Sequence, residues 1–278
     1  MTSRHRLLTV LRGEIPDCVP VSPDISNMIP ARLTGKPFWD IYLYNDPPIR
    51  QAYVTAARYF DIDAMSDGQF PLRFPEETPE EPPMERFIVH RGPDRIVTQM
   101  SWLDGGMRHW KPTVDVFYVA DSPSYDVTPD KVALPTTPVR YEPVEGVKPV
   151  DNSPAGLKAF MNAMGDQGLV GIWLASSVGI SNEADLYRYI DNPDKHEAWA
   201  VARVEAVERR FQRIMAMDFR PDFLCVGGSG TLVFQSLDIF KTLCWPAVKR
   251  AIELANGAGF FTHIHSCGPE KDLVKMMP

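Results

Sequence analysis

The second half of the chain alternates strand and helix, and this constrains the fold more than any other feature. Residues 168–176 form a continuous apolar run, as expected of a strand covered on both faces. A helical pattern capped by Ser181 runs to about Ile190. A longer one starts at Asn192-Pro193 and ends near Asp218, with Trp199, Val204, Val207, Phe211 and Ile214 inward. Residues 222–227 read as a second buried strand. Ser236 caps a helix interrupted at Pro246 and resumed to Asn256-Gly257, a C-cap signal. Residues 260–267 read as the next strand. Strand, helix, strand, helix, strand at roughly 40-residue spacing means parallel βα units, hence an α/β fold.

The first half obeys a different grammar. A short helix is predicted at about 3–12. Residues 17–24 read as an apolar strand whose prolines demote it to an edge or terminal position. Asp46 and Pro47 open a helix with Ile49, Ala52, Tyr53, Ala56, Ala57 and Phe60 on one apolar face. Residues 62–67 read as a strand, which brings the parallel strands to five. From about 70 to 154, prolines interleave first with glutamates and then with short β elements. A hairpin is predicted there, with Arg86–Arg91 and Arg95–Met100 flanking Gly92-Pro93-Asp94. Of 26 prolines in 278 residues, 21 precede residue 155 and 14 fall in 70–154. The expected organisation is therefore one domain over 1–278 with an insertion or cap at about 70–154.

Composition narrows the function classes. Lys plus Arg total 29 against 36 Asp plus Glu, so the net charge is -7, which argues against nucleic acid and anionic membranes as partners. No apolar run approaches the ~20 residues of a membrane helix, and no signal core follows the basic N-terminus. A cytoplasmic protein is expected. Cys18, Cys225, Cys244 and Cys267 are widely spaced and are expected as free thiols. The usual nucleotide-cradling glycine motifs are missing. Gly227-Gly228-Ser229-Gly230 follows a strand and reads as a tight turn or an anion cradle.

The informative segment is Thr262-His263-Ile264-His265-Ser266-Cys267-Gly268. On a strand, residues two apart share a face, so His263, His265 and Cys267 point one way and Phe260, Thr262 and Ile264 the other. Cys267 lies at the carboxyl end of a parallel strand, where barrel active sites sit. Imidazole and thiolate on one side suit a borderline-soft cation such as Zn²⁺. Buried, hydrogen-bonded side chains are the alternative reading. His263, deeper along the strand, reads as a lining residue rather than a ligand. Asp67, at a strand end, reads as a site carboxylate or as a helix cap.

These residues resemble a family. Arg6 to Val21 (Arg-x-Leu-x-x-x-Leu-Arg-Gly…Pro-Asp-x-Val-Pro-Val) resembles the N-terminus of the uroporphyrinogen decarboxylase superfamily. Gly228-Ser229-Gly230-Thr231, Gln235-Ser236, Phe240 and His265-Ser266-Cys267-Gly268 resemble its cobalamin-dependent methyltransferase branch. The resemblance implies a TIM (β/α)8-type barrel, here of about five βα units and incomplete on its C-terminal side. It implies zinc held by His265 and Cys267, a small thiol as substrate, and a methyl-corrinoid protein as methyl donor. Asp67 becomes a catalytic candidate. Asp24, Gly228, Ser229, Gly230 and His263 become substrate-binding candidates. Those enzymes take a further cysteine ligand from a later strand, which has no counterpart after Cys267, so two ligands make an incomplete set. The decarboxylase branch of tetrapyrrole synthesis is the alternative. Asp67 fits it, but the cationic residues that an octacarboxylate requires are missing at Ser22–Leu33, where only Arg32 is found. A truncated, non-catalytic barrel is the third reading. An open fifth strand edge would be an aggregation liability, so a further segment or a second copy is expected to cover it.

Overall fold

Strands and helices build the parts of the chain described by the computed structural model, namely residues 1–25, 27–66, 70–75, 83–134, 141–268 and 271–276, without the side chains of Ser229, Ser266 and Cys267. In chain order the elements are α1 (Ser3–Leu11), α2 (Met28–Leu33), α3 (Phe38–Tyr42), α4 (Ile49–Phe60), β1 (Ala64–Ser66), β2 (Glu85–Arg91), β3 (Arg95–Asp104), β4 (Met107–Tyr118), β5 (Ser124–Val127) and β6 (Glu142–Pro143). There follow α5 (Pro154–Met164), β7 (Gly168–Ser176), α6 (Glu183–Asp191), α7 (Pro193–Met215), β8 (Phe223–Ser229), α8 (Leu237–Leu243), α9 (Trp245–Gly257), β9 (Phe261–Cys267) and α10 (Lys271–Val274). The chain divides into two compact units, Met1–Pro20 with Ala64–Phe74 and Ser153–Pro278, and Val21–Asp63 with Pro75–Asn152.

The first unit is a mixed α/β structure whose parallel sheet, in the order β1-β7-β8-β9, forms a half-barrel. Gly171 pairs in register with Phe223, and a methyl group at Gly171 would collide with the Phe223 ring, so glycine is what lets the two strands carry that ring between them. Alternate residues Val170, Ile172, Leu224 and Val226 are buried on one face, and α5, α7 and α9 pack on the sheet. On the other face Leu169, Phe223 and Cys225 form a core with Leu7 of α1, flanked by Leu8, Met65, Trp173 and Phe261. Arg4 anchors α1 through a charge-assisted pair with Asp222, whose Oδ2 also accepts the Val170 N–H at 2.8 Å. Ser153 and Ser236 cap α5 and α8 by accepting the N–H groups of Gly156 and Ile239.

The second unit is built on an antiparallel sheet in the order β5-β4-β3-β2-β6. The predicted hairpin forms, with β3 running on to Asp104 and returning as β4. Both faces are covered. Ile88, Ile96 and Phe117 pack with Leu43 and with Trp39 and Tyr42 of α3, while Val89, Val97, Val114 and Val116 pack with Val132.

Several expectations need correction. Residues 17–24 form no strand. Pro20 and Pro23 lack the N–H a ladder needs, and Val19 is 81% exposed, so no apolar face holds the segment in a sheet. What survives is a local exchange in which Val21 donates to Asp63 Oδ2 and accepts from the Asp63 N–H. The described parallel strands are therefore four rather than five. Asp46 does not cap α4, which begins after Pro48; its carboxylate pairs with Lys36 and Lys148 instead. Phe60 and Trp199 are largely exposed rather than inward. The cap of α6 is Asn182, one residue after Ser181.

Candidate functional site

Strand register assembles the predicted site from the bottom up. The lowest row across the sheet is Gly171, Phe223 and Phe261, and the next is Trp173, Cys225 and His263. A register shift after Trp173 then brings Ser176 level with Gly227, and Gly227 level with His265. Ser229 and Cys267 are paired at the carboxyl ends of β8 and β9. His263 and His265 therefore do share a face, with the strand position of Cys267 beyond them. The ring of His263 meets Phe223 edge-on at 5.9 Å, and that of His265 meets Trp173 at 6.1 Å. Gly227 adopts φ 105° and has no room for a Cβ against the His265 carbonyl, so the backbones of β8 and β9 approach closely at the level of His265.

The donor types that the sequence offers at this strand end, an imidazole at position 265 and a thiol two residues on, suit zinc. Their number supplies half of a tetrahedral set. Among the described residues, no group of three His, Cys, Asp or Glu side chains is placed to hold a metal ion. Cys225 is fully buried one row below His265, and Cys18 is exposed in another part of the unit. The side chain of Cys267 and the whole of Asp67 lie outside the described residues. The strand that leads to Asp67 is β1, three strand positions from β9, or about 14 Å along the sheet. Asp24 is exposed and belongs to the second unit.

Gly228 and Gly230 end β8 in a turn. Thr231 Oγ1 donates to the Gly228 carbonyl at 3.0 Å, and Gly230, at φ 70°, accepts from the Val233 N–H. This geometry is that of the tight turn. The side chain of Ser229 lies outside the described residues.

Next to this turn lies a buried network that the sequence did not announce. Gln235, 2% exposed, accepts the N–H groups of Gly179 and Ile180 on Oε1 and donates from Nε2 to the Ser177 carbonyl. Ser177 and Thr231 share a 2.5 Å hydroxyl contact. Cys244, at the junction of α8 and α9, lies 3.7 Å from Gln235 Oε1, and Arg203 donates to its sulfur at 3.4 Å. Burial pushes the Cys244 thiol up, and Arg203 only partly offsets that, so the surroundings favour the neutral thiol. Gln235 does belong to the motif that carries the family resemblance. Its backbone partners are more than fifty residues away, so no local pattern could reveal its task.

Comparison with family models, with curated proteins and with solved structures found no match to this chain. No helix among the described residues is long and apolar enough to cross a membrane.

Proposed function

We propose that the chain is a methyltransferase-like enzyme of the uroporphyrinogen decarboxylase superfamily, built on a TIM-type barrel, that moves a methyl group from a methyl-corrinoid protein to a small thiol. The observation that carries this reading is the register of β9, which puts His263 and His265 on one face and the strand position of Cys267 two residues beyond them, at the carboxyl end of a parallel sheet. His265 and Cys267 would hold a zinc ion, leaving its remaining positions to the substrate thiol and one further donor. Bound there, zinc would lower the pKa of the thiol so that it is ionised near neutral pH.

The chain's own residues supply position. Trp173 packs edge-on against the His265 ring and limits its rotation. Phe223 does the same for His263, which lines the wall one row deeper. The apolar rows of Phe223, Phe261, Leu169 and Leu7 close the lower end of the face and keep water from reaching the site from that side. The tight turn at Gly228–Gly230 forms the rim.

Metal analysis of the purified full chain tests the proposal. Bound zinc is expected, and it should be lost in both His265→Ala and Cys267→Ala. A chain without zinc, or unchanged zinc in Cys267→Ala, would overturn it.

A further inference from the structure

We propose that the cleft between α6 and α7, beyond the carboxyl end of β7, binds a small organic anion with a flat apolar body. The cleft has a volume of about 340 Å³ and is lined by Gly179, Asp185, Arg188, Lys195, His196 and Trp199. That volume lies within the range of small-molecule sites. Its walls belong to one unit and do not include His265 or Cys267, so the proposal is independent of the zinc reading.

The charge is the first argument. On a chain of net charge -7 this cleft gathers Arg188 and Lys195 around one carboxylate, with His196 beside them. That carboxylate is already committed. Asp185 Oδ1 takes Arg188 at 2.6 Å, and Oδ2 takes the Ser181 hydroxyl at 2.6 Å and Asn182 Nδ2 at 3.0 Å. The Ser181 hydroxyl holds its pKa below the ordinary carboxylate range, so it stays ionised and saturated. Lys195 forms no ion pair among the described residues, which leaves its ammonium as the uncompensated charge of the cleft. His196 donates from Nδ1 to the Asn192 carbonyl at 3.0 Å, and its ring stands edge-on to Tyr189 at 5.4 Å. Its orientation is thereby set.

The aromatic wall is the second argument. Trp199 is 39% exposed although it sits on a helix that buries Ala200, Val207, Phe211 and Ile214. Arg203 lies over the indole at 4.5 Å and is itself tied to the Ser176 carbonyl and to Cys244. The indole is therefore held from one side, and it lines the cleft.

The third argument is rigidity beside the indole. Gly179 is pinned by Gln235, and a Cβ there would lie 2.7 Å from the Cys244 sulfur and 3.5 Å from Trp199. Only glycine fits, so the wall is backbone fixed by a buried network. A fixed backbone wall, an oriented indole and an unpaired ammonium form a preorganised receptor for an anion carried on a flat group.

Calorimetric titration of the full chain with phenyl phosphate, inorganic phosphate and phenol tests this. Phenyl phosphate is expected to bind saturably, and each of the other two at least about tenfold more weakly. Lys195→Glu should weaken phenyl phosphate by about tenfold or more, and Trp199→Leu should remove its advantage over inorganic phosphate. Cys267→Ala should bind it as the parent does, which separates this outcome from loss of the proposed metal site. Circular dichroism confirms that each variant is folded, and an exposed Arg188→Gln variant provides a second charge change should Lys195→Glu fail to fold. No saturable binding of phenyl phosphate, equal affinity for all three probes, or unchanged affinity in the charge and Trp199 variants would overturn the proposal.

Discussion

Gln235 holds the turn after β7 from the side-chain end. Its amide serves two backbone N–H groups and one carbonyl in a place closed to water. Leucine fills the volume and satisfies none of them. Each abandoned buried group costs about 1–3 kcal/mol, part of which relaxation recovers, so Gln235→Leu is expected to lower stability by roughly 2–4 kcal/mol. Urea titration should show a lower midpoint with an unchanged slope. A loss below about 0.5 kcal/mol would mean that the turn finds other partners. This task was not visible at residue level in the sequence, where Gln235 enters only through the Gln235-Ser236 element of the family resemblance. The Ser236 cap beside it was visible, because a cap is decided by neighbours three residues away.

Among elements, the antiparallel sheet shows how one polar stitch joins four strands. Arg86 on β2 donates to Thr98 on β3 at 2.7 Å and to Asp115 Oδ2 on β4 at 2.6 Å. Asp115 Oδ1 accepts the N–H of Asp126 on β5 at 3.0 Å. The Asp115 side chain is 12% exposed and that of Arg86 27%. Removing the acid alone strands a half-buried guanidinium and an N–H group. Asp115→Ala should therefore cost roughly 2–4 kcal/mol, and the double variant Asp115→Ala/Arg86→Met should recover part of that. Equal stability of Asp115→Ala and the parent would contradict the assignment. The hairpin that begins this sheet was evident from Gly92-Pro93-Asp94 between two β-prone runs, since turn chemistry is local. Its extension to β4, β5 and β6 was not, because pairing across a sheet depends on which faces find cover. For the same reason residues 17–24, apolar enough to read as a strand, stay irregular. Two prolines and the lack of a burying partner outweigh β-propensity there.

At the scale of the whole molecule, four chain crossings divide the protein into two discontinuous units. The Gln235 and Asp115 sites lie in different units and share no partner, so their effects should add. Native-state hydrogen exchange should show Gln235→Leu loosening β7 and β8, and Asp115→Ala loosening β2 to β5. In the combined variant each region should change as in the single one, within about 0.5 kcal/mol. A larger coupling would mean that the two units open as a single cooperative body.

The sequence alone determined the parallel βα run, the helix cap at Ser236, the first hairpin, and the common face of His263 and His265. Each of these follows from periodicity or from contacts within a few residues, which every local segment carries with it. Tertiary structure alone decided that β1 pairs with β7 across a hundred residues, and that Gly171 must yield to Phe223. It alone decided that Gln235 holds the turn after β7, and that Arg188, Lys195 and Trp199 line one cleft. Those arrangements depend on burial and on partners distant in the chain, and the chain acquires them only when its faces pack.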